Sequence, residues 1–522
     1  MRAPGLSRLY ADALYDFDRV APFYPAGPPY AYPPAAAAYP ESRRTVMARV
    51  LRRQHERWGL SAAAGERLNE FALPGCVAVM TGQQVGLFGG PLLTIYKAMT
   101  AVLLAERWRR QGAAAVPIFW MASQDHDLAE VDHIWALDDD AQLVRLQAGE
   151  AMPAGAAVGG LELGGAVTKS IEDLTRCCGG SSAVLEELRG TYQPGVSLAD
   201  AFGRTLARWF APWGLLVFDP LQAPEAAEMW RPYYLAALER QGELAERLTR
   251  RTGELEAAGY HAQVEQTAAA AMLFLHRNGA RRGLRRHKGA WLEGEAHIEE
   301  AEARRFLQEH PESVSASALL RPLLQDVAFP TAAQVTGPAE TAYLAQSAVL
   351  YAAFELPPPR PYPRASVTLL EPKARRLLDK YGLSLEDIWR APASELLAHK
   401  ALPAELEQGL AAARAHFEED FAGLAQSLAA LDPTLVDAAQ GAAQKIRHQW
   451  EQLQARSGRS LTRRSAELTG QAHYLDHCLY PQRQLQERVL GAAYWAGRYA
   501  DLLPRLHAEM APASPEHQEL AL

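Results

Sequence analysis

With 522 residues, a mass of 57.2 kDa and 48% hydrophobic residues, the chain is long enough for two or three domains and a substantial core. The formal net charge is −8 and the pI about 6.0, with the basic residues dispersed, so nothing marks nucleic acid as a partner. Cys76, Cys177, Cys178 and Cys478 lack zinc-ligand spacing and are too few for a disulfide framework; with no signal-length or membrane-length apolar run, the expected compartment is the cytoplasm.

The Pro/Tyr/Ala stretch over 22–40 favours extended geometry, and its tyrosines predict an ordered arm laid over the core. Ser42 to Leu73 reads as mainly helical, closed by Pro74-Gly75. The organising stretch follows, from Val77 to His133. An apolar β-prone run, Cys76 to Met80, breaks into Thr81-Gly-Gln-Gln-Val-Gly-Leu-Phe-Gly-Gly-Pro91. A helical pattern then covers Leu92 to Arg110, with Leu92, Ile95, Met99, Leu103 and Trp108 at helical spacing and Lys97 near its start. Val116-Pro-Ile-Phe-Trp-Met121 is a second buried-strand pattern, ending in Ser123-Gln-Asp-His-Asp127. This βαβ unit predicts parallel strands whose loops open on one carboxyl edge, where open α/β sheets bind ligands. Gly82, Gly86, Gly89 and Gly90 permit close backbone approach, and the helix start favours an anion; the plain alternative is a turn that lets helix and strand pack. The pattern is neither a dinucleotide fingerprint nor a P-loop.

Residues 138–195 and about 260–325 read as insertions. Leu198 to Phe210 is a helix, Leu215 to Asp219 a buried strand, and one long helix is expected from Pro224 to about Ala258. Short strands at Met272 to Leu275 and around Trp291 flank a basic run, Arg281 to Lys288, which can steer an anionic substrate but has its plainer reading as a charged hairpin in solvent. Gln334-Val-Thr-Gly-Pro-Ala-Glu340 repeats the strand, glycine, helix order, with Pro338 opening a helix to Phe354 and Glu340 and Tyr343 one turn apart. Leu356 to Arg364 is too proline-rich for regular structure, and Ala365 to Leu369 resumes a strand.

Beyond Leu383, leucines, alanines and phenylalanines from Leu406 to Leu431 recur at steps of three and four, pause at Asp432-Pro433, and resume to Leu453. Two helices folding back as an antiparallel hairpin are expected, with a third over Gln482 to Leu503. The fold class is α/β, a Rossmann-like parallel-sheet core with inserted connecting segments over 1–383, plus an all-α coiled-coil domain over 384–522.

The Thr81 to Lys97 stretch, with Val116 to Trp120 and Ser123 to Asp127, resembles the bacillithiol biosynthesis cysteine-adding enzymes, as do Gln334 to Glu340 with Tyr343, Pro363-Arg-Ala-Ser366 and Lys380-Tyr-Gly-Leu383. The resemblance spans essentially the whole chain. It implies a ligase joining cysteine to glucosaminyl malate in the last step of bacillithiol synthesis, with small-molecule partners and a dimer through the coiled coil.

Amide formation needs a deprotonated amine, an activated carboxyl and a stabilised oxyanion. His126, flanked by Asp125 and Asp127, is the candidate general base. Gln83, Gln84 and the amides after Gly86 are candidate oxyanion or carboxylate ligands; Lys97 either reaches an anion or faces solvent. Ser123, Gly337, Glu340 and Tyr343 border the same expected cleft, and Arg364 and Ser366 join it through the resemblance alone. A rival use of the cluster places His126, Glu130 and His133 on one helical face as metal ligands, though the usual zinc signature is absent. The layout also resembles the nucleotidyl-transferase type of Rossmann fold, without its signature sequences, so ATP or another nucleotide stays open as a cofactor. The other readings are an ATP-dependent ligase or acyltransferase on a different amino substrate, and a nucleotide-binding coiled-coil scaffold.

Overall fold

Alternation along the first strand builds both faces of the core. In a computed structural model that describes residues 1–29, 39–149, 155–265, 267–288, 290–400 and 404–522, Val77–Gln83 forms β1. Val77 and Val79 point to one side of the sheet, with Ala101, Leu104 and Trp108, while Ala78 and Met80 point to the other, with Trp120, Trp230 and Tyr234. Four more strands, β2 (Ala115–Met121), β3 (Leu216–Phe218), β4 (Thr331–Thr336) and β5 (Arg360–Pro363), complete a sheet of order β5-β4-β1-β2-β3. All neighbours pair in parallel. Helix α1 (Leu92–Arg110) has the predicted bounds and packs on β1 and β2.

The chain runs outward from β1 through β2 to β3 and then returns to place β4 on the opposite flank of β1. The switch point of the sheet therefore lies between β1 and β4, and there the connections leave a crevice at the carboxyl ends. Helix α2 (Arg321–Ala328) precedes β4 and α3 (Pro338–Ala353) follows it. A second, antiparallel sheet has the order Val314–Ala316, Ala270–Arg277, Ala280–His287, Ala290–Glu293, Ala296–Ile298.

Several expectations are corrected. The proline-rich segment contains β5, which is possible because it is an edge strand and Pro361 and Pro363 need not donate to a further neighbour. The long helix is two, Pro224–Glu239 and Gln241–Ala257, broken at Arg240, whose side chain bonds the Ala353 carbonyl and Glu243. The basic run is not a solvated hairpin throughout, since Arg281 is buried. Residues 128–130 form one 3-10 turn and His133 opens a strand, so no helical face aligns His126, Glu130 and His133; no metal-holding cluster occurs among the described residues. Of the proline arm, 30–38 lie outside the described residues; on its flanks Phe23 and Tyr24 are buried, and Tyr24 donates to the Thr341 carbonyl at 2.8 Å. Ala154, at the start of a glycine-rich piece, also lies outside them.

The chain divides into two compact units: Met1–Ala136, Arg145–Thr368 and Glu487–Leu520 form the first, and Leu137–Val144, Leu369–Gln486 and Ala521–Leu522 the second. In the second unit, α4 (Ala404–Leu431) and α5 (Leu435–Arg464) are joined by a turn in which Asp432 accepts from the backbone and hydroxyl of Thr434. Arg447 grips Glu418 through two 2.7 Å bonds, which pairs the helices antiparallel as predicted. The third helix is corrected: Ala466–Leu479 is helical, while beyond Pro481 the left-handed φ angles of Gln482 and Arg483, 52° and 56°, break the chain into short helices at Gln486–Val489, Ala492–Arg498 and Leu502–Glu509. No helix among the described residues is long and apolar enough to cross a membrane.

Candidate active site

At the switch point a cavity of about 900 Å3 opens over the ends of β1 and β4, lined there by Gly82, Gln83, Gln84, Gly337 and Pro338. Lys97, one turn into α1, is buried beneath it and ties the two loops together. Its Nζ donates to the Gly82 carbonyl and to Gln83 Oε1, both at 2.8 Å, and pairs with Glu340 Oε2 at 2.5 Å. Glu340 in turn accepts from the Gly337 amide at 2.8 Å, closing the first turn of α3. Burial pulls the Lys97 pKa down, against the opposing pull of the Glu340 charge. Lys97 is thus neither solvent-facing nor free: it is the rivet between β1 and α3.

Beside it, Arg364 follows β5 and lines the cavity while pairing with the fully buried Glu487 at 2.5 Å. Glu487 also accepts from Ser366 Oγ and the Val367 amide, each at 3.1 Å. Burial pushes the Glu487 pKa up, and Arg364 more than reverses this, leaving it below the ordinary value.

The opposite side of the cavity is built on Asp125, at the end of β2. Arg321 grips both of its carboxylate oxygens, one at 3.1 Å, and Arg281 stands 4.0 Å away. Burial raises the Asp125 pKa, but Arg321 and then Arg281 bring it below the ordinary value, so it is an anion at neutral pH. Arg281 comes from the second sheet, where its guanidinium lies 3.6 Å over the Phe274 ring and donates to Ser315 Oγ at 3.0 Å. Its Nη1 donates to His126 Nδ1 at 2.9 Å. Because arginine has no acceptor, Nδ1 is unprotonated and a neutral His126 carries its proton on Nε2.

The structure thus brings Gln83, Gln84, Lys97, Asp125, Gly337, Glu340, Tyr343 and Arg364 into the lining of one cavity. His126 is exposed and outside the cavity lining, joined to it by its bond with Arg281, and Asp127 is exposed at the start of the following 3-10 turn. Ser123 is fully buried and donates to Asp219 at 2.5 Å, and Ser366 is held by Glu487 and His517. Gly86, Gly89 and Gly90 do not line the cavity but serve the packing of their own loop. A Cβ on Gly86 would lie 2.7 Å from Gly90 Cα, and one on Gly89 would meet the Trp209 ring at 3.0 Å. The start of α1 is likewise covered: Leu92 donates to the Leu490 carbonyl at 3.0 Å and Ala492 donates back to Gly90 at 2.8 Å.

Sequence reasoning set Arg281 aside as part of a solvated hairpin and missed Arg321, Gln334 and Arg488 as site residues; all four line the cavity. The signal for Arg281 was present: Arg281, Gly283 and Arg285 alternate along one strand, and all three line the cavity. For Arg321 and Arg488 no local signal exists, because their neighbours in space come from distant segments.

A parallel Rossmann-like sheet with a cation-rich crevice at its switch point, followed in the chain by a helical hairpin, defines an α/β enzyme class with a coiled-coil extension. The chain belongs to the bacillithiol biosynthesis BshC family: the model of its N-terminal Rossmann-like domain matches residues 2–365 and that of its C-terminal coiled-coil domain matches 367–522. A protein of Koribacter versatilis named "Putative cysteine ligase BshC" is 38% identical, over 99% of this chain and 97% of its own length. Proteins of the same name from Solibacter usitatus and Thermus thermophilus are 34% identical over 99% of this chain and 98% of the relative, and 32% identical over 82% and 85%.

Proposed function

We propose that the protein is a cysteine ligase, forming the amide bond between the carboxyl of L-cysteine and the amino group of glucosaminyl malate, the last step of bacillithiol synthesis. The observation that carries this reading is the convergence of Arg281, Arg321, Arg364, Arg488 and Lys97 on one cavity at the switch point. A malate moiety presents two carboxylates, and arginine forks match carboxylates in paired geometry. The cavity of about 900 Å3 has room for an amino sugar conjugate with cysteine beside it.

His126 is the base in this reading, with Asp125 and Asp127 its acidic neighbours. In the unliganded arrangement Arg281 occupies His126 Nδ1. A substrate carboxylate that takes up Arg281 releases that nitrogen, which then accepts the proton lost by the attacking amine. Asp125 keeps Arg321 and Arg281 in place, and the remaining cations stabilise charge on the carboxyl oxygen as the C–N bond forms and the C–O bond breaks, its oxygen leaving as water or, where ATP activates the carboxyl, with the phosphate or AMP it carries.

None of the four cysteines is in a disulfide, which supports a reducing cytoplasm as the site of action. Leu406, Leu424, Leu431, Ile446 and Leu453 stand exposed on the α4–α5 hairpin, which supports a homodimer through the coiled coil.

The test is a mass-spectrometric assay of the purified chain with cysteine and glucosaminyl malate, with and without ATP and magnesium. The condensed thiol is expected, and it falls at least 100-fold in His126→Ala. Product in both mixtures removes ATP from the reaction; product only with ATP places an acyl phosphate or adenylate in the cavity. No product in either mixture, from folded protein, overturns the reading.

A further inference from the structure

Six cations and five carboxylates line the cavity, and of the acids Glu130, Glu265 and Glu295 are exposed to solvent, which leaves Asp125 and Glu340 as the more deeply set pair. Asp125 is taken up by Arg321, and Glu340 by Lys97 and the Gly337 amide. Among the buried side-chain carbonyl and carboxylate oxygens of the lining, one is left unused. Gln334, in β4, is 5% exposed and lines the cavity, yet its side-chain Oε1 is buried with no hydrogen-bond partner among the described residues. Ser317 Oγ, also on the wall, lacks a partner too, but a hydroxyl rotates and serves as donor or acceptor alike. In Gln334 the acceptor is the carboxamide oxygen alone, its NH2 being a donor, so Oε1 needs an N–H or O–H partner. Gln334 is anchored on both sides by the parallel ladder, opposite Met80 of β1 and Pro361 of β5, in the interior of the sheet. A buried polar atom in such a place is satisfied by protein, by water or by a ligand.

We infer that Gln334 is the residue that receives the amino group of the acyl acceptor, its Oε1 accepting one N–H while the arginines hold the carboxylates at the other end. This deepens the ligase reading and rests on it. The chemistry favours an amide over an acid at this position. A carboxylate would stabilise the ammonium form, which has no lone pair to attack with. A neutral carbonyl holds the nitrogen by one hydrogen and leaves another free to depart to the base. The ligand class follows from the wall itself: anionic at one end, bearing an N–H donor at the other, and discriminated from analogues lacking that donor because they leave Gln334 unpaired.

The experiment measures binding by calorimetry, with glucosaminyl malate and with malate alone as probes, on the full chain and on Gln334→Leu and Gln334→Glu, each checked for folding by its thermal transition. Gln334→Leu is expected to weaken glucosaminyl malate at least tenfold and leave malate within about twofold. Gln334→Glu is expected to keep the affinity for glucosaminyl malate within about threefold while moving the acid limb of the turnover profile to higher pH. Wild-type protein that binds malate as tightly as glucosaminyl malate overturns the contact. So does a folded Gln334→Leu variant that binds both probes as the wild type does, or loses both equally. Binding of the expected pattern without product formation would overturn the ligase reading and leave the amine contact standing.

Discussion

Two ion-pair clusters border the same cavity, and water reaches them to different extents. Glu487 and Arg364 have side chains 0% and 5% exposed, whereas Asp125 and Arg321 are 17% and 26% exposed. In the first cluster every acceptor lobe of the acid is spent on protein: Arg364, Ser366 and the Val367 amide. In the second, one acid is shared between two arginines, and one of these also serves His126. The buried cluster is architecture, fixing the chain after β5 against the returning segment at Glu487. The half-open one is poised to exchange partners with an anionic ligand.

Substitution separates the two roles. Glu487→Gln strands Arg364 as a buried uncompensated charge, and a loss of roughly 3–5 kcal/mol of folding stability is expected. Denaturant unfolding measures it, and a loss under about 1 kcal/mol would erase the distinction drawn here. Asp125→Asn is expected to cost less stability, about 1–2 kcal/mol, because solvent already reaches Arg321. Its turnover falls about 100-fold, since both arginines lose their shared anchor. A variant that melts like Glu487→Gln, or that turns over like the wild type, would place Asp125 on the architectural side.

The same contrast explains what the sequence discloses. The β1–α1–β2 unit is legible because its apolar spacing answers to burial on neighbouring elements: the bounds of α1 follow from Leu92, Ile95 and Met99, and Lys97 stands out as the one charge in that buried stretch. The α4–α5 hairpin is legible for a similar reason, its periodicity interrupted only by Asp432-Pro433. The wall opposite β1 is not. Arg281 looks like any solvated arginine until Asp125 and His126, more than 150 residues away in the chain, are placed beside it. The breaks at Gln482 and Arg483 carry no glycine to announce their left-handed backbone. The glycine loop shows the reverse failure: a run of glycines suggests a ligand cradle, and here close contacts within the loop and with Trp209 use up that freedom.

A third carboxylate refines the comparison, because it is buried without a cation. Asp219, fully buried next to β3, accepts from Ser123 and from the Leu221 amide through Oδ1, while Oδ2 has no partner among the described residues. Burial lifts its pKa from 3.8 to about 6, against the hydrogen bonds that lower it. The raised value means that the folded state prefers the protonated acid. Its stabilising contribution is complete below pH 4 and is lost as the pH rises to about 6, a change of roughly 2–3 kcal/mol. Glu487 and Asp125, whose pKa values are lowered, act with the opposite sign and lose their contribution only as the medium becomes acid. The stability difference between wild type and Asp219→Asn therefore isolates the Asp219 contribution. It is expected to move in favour of the variant between about pH 4 and 6 and to stay flat above that window, and a pH-independent difference would show that Asp219 is ionised and held by charges that its surroundings do not display.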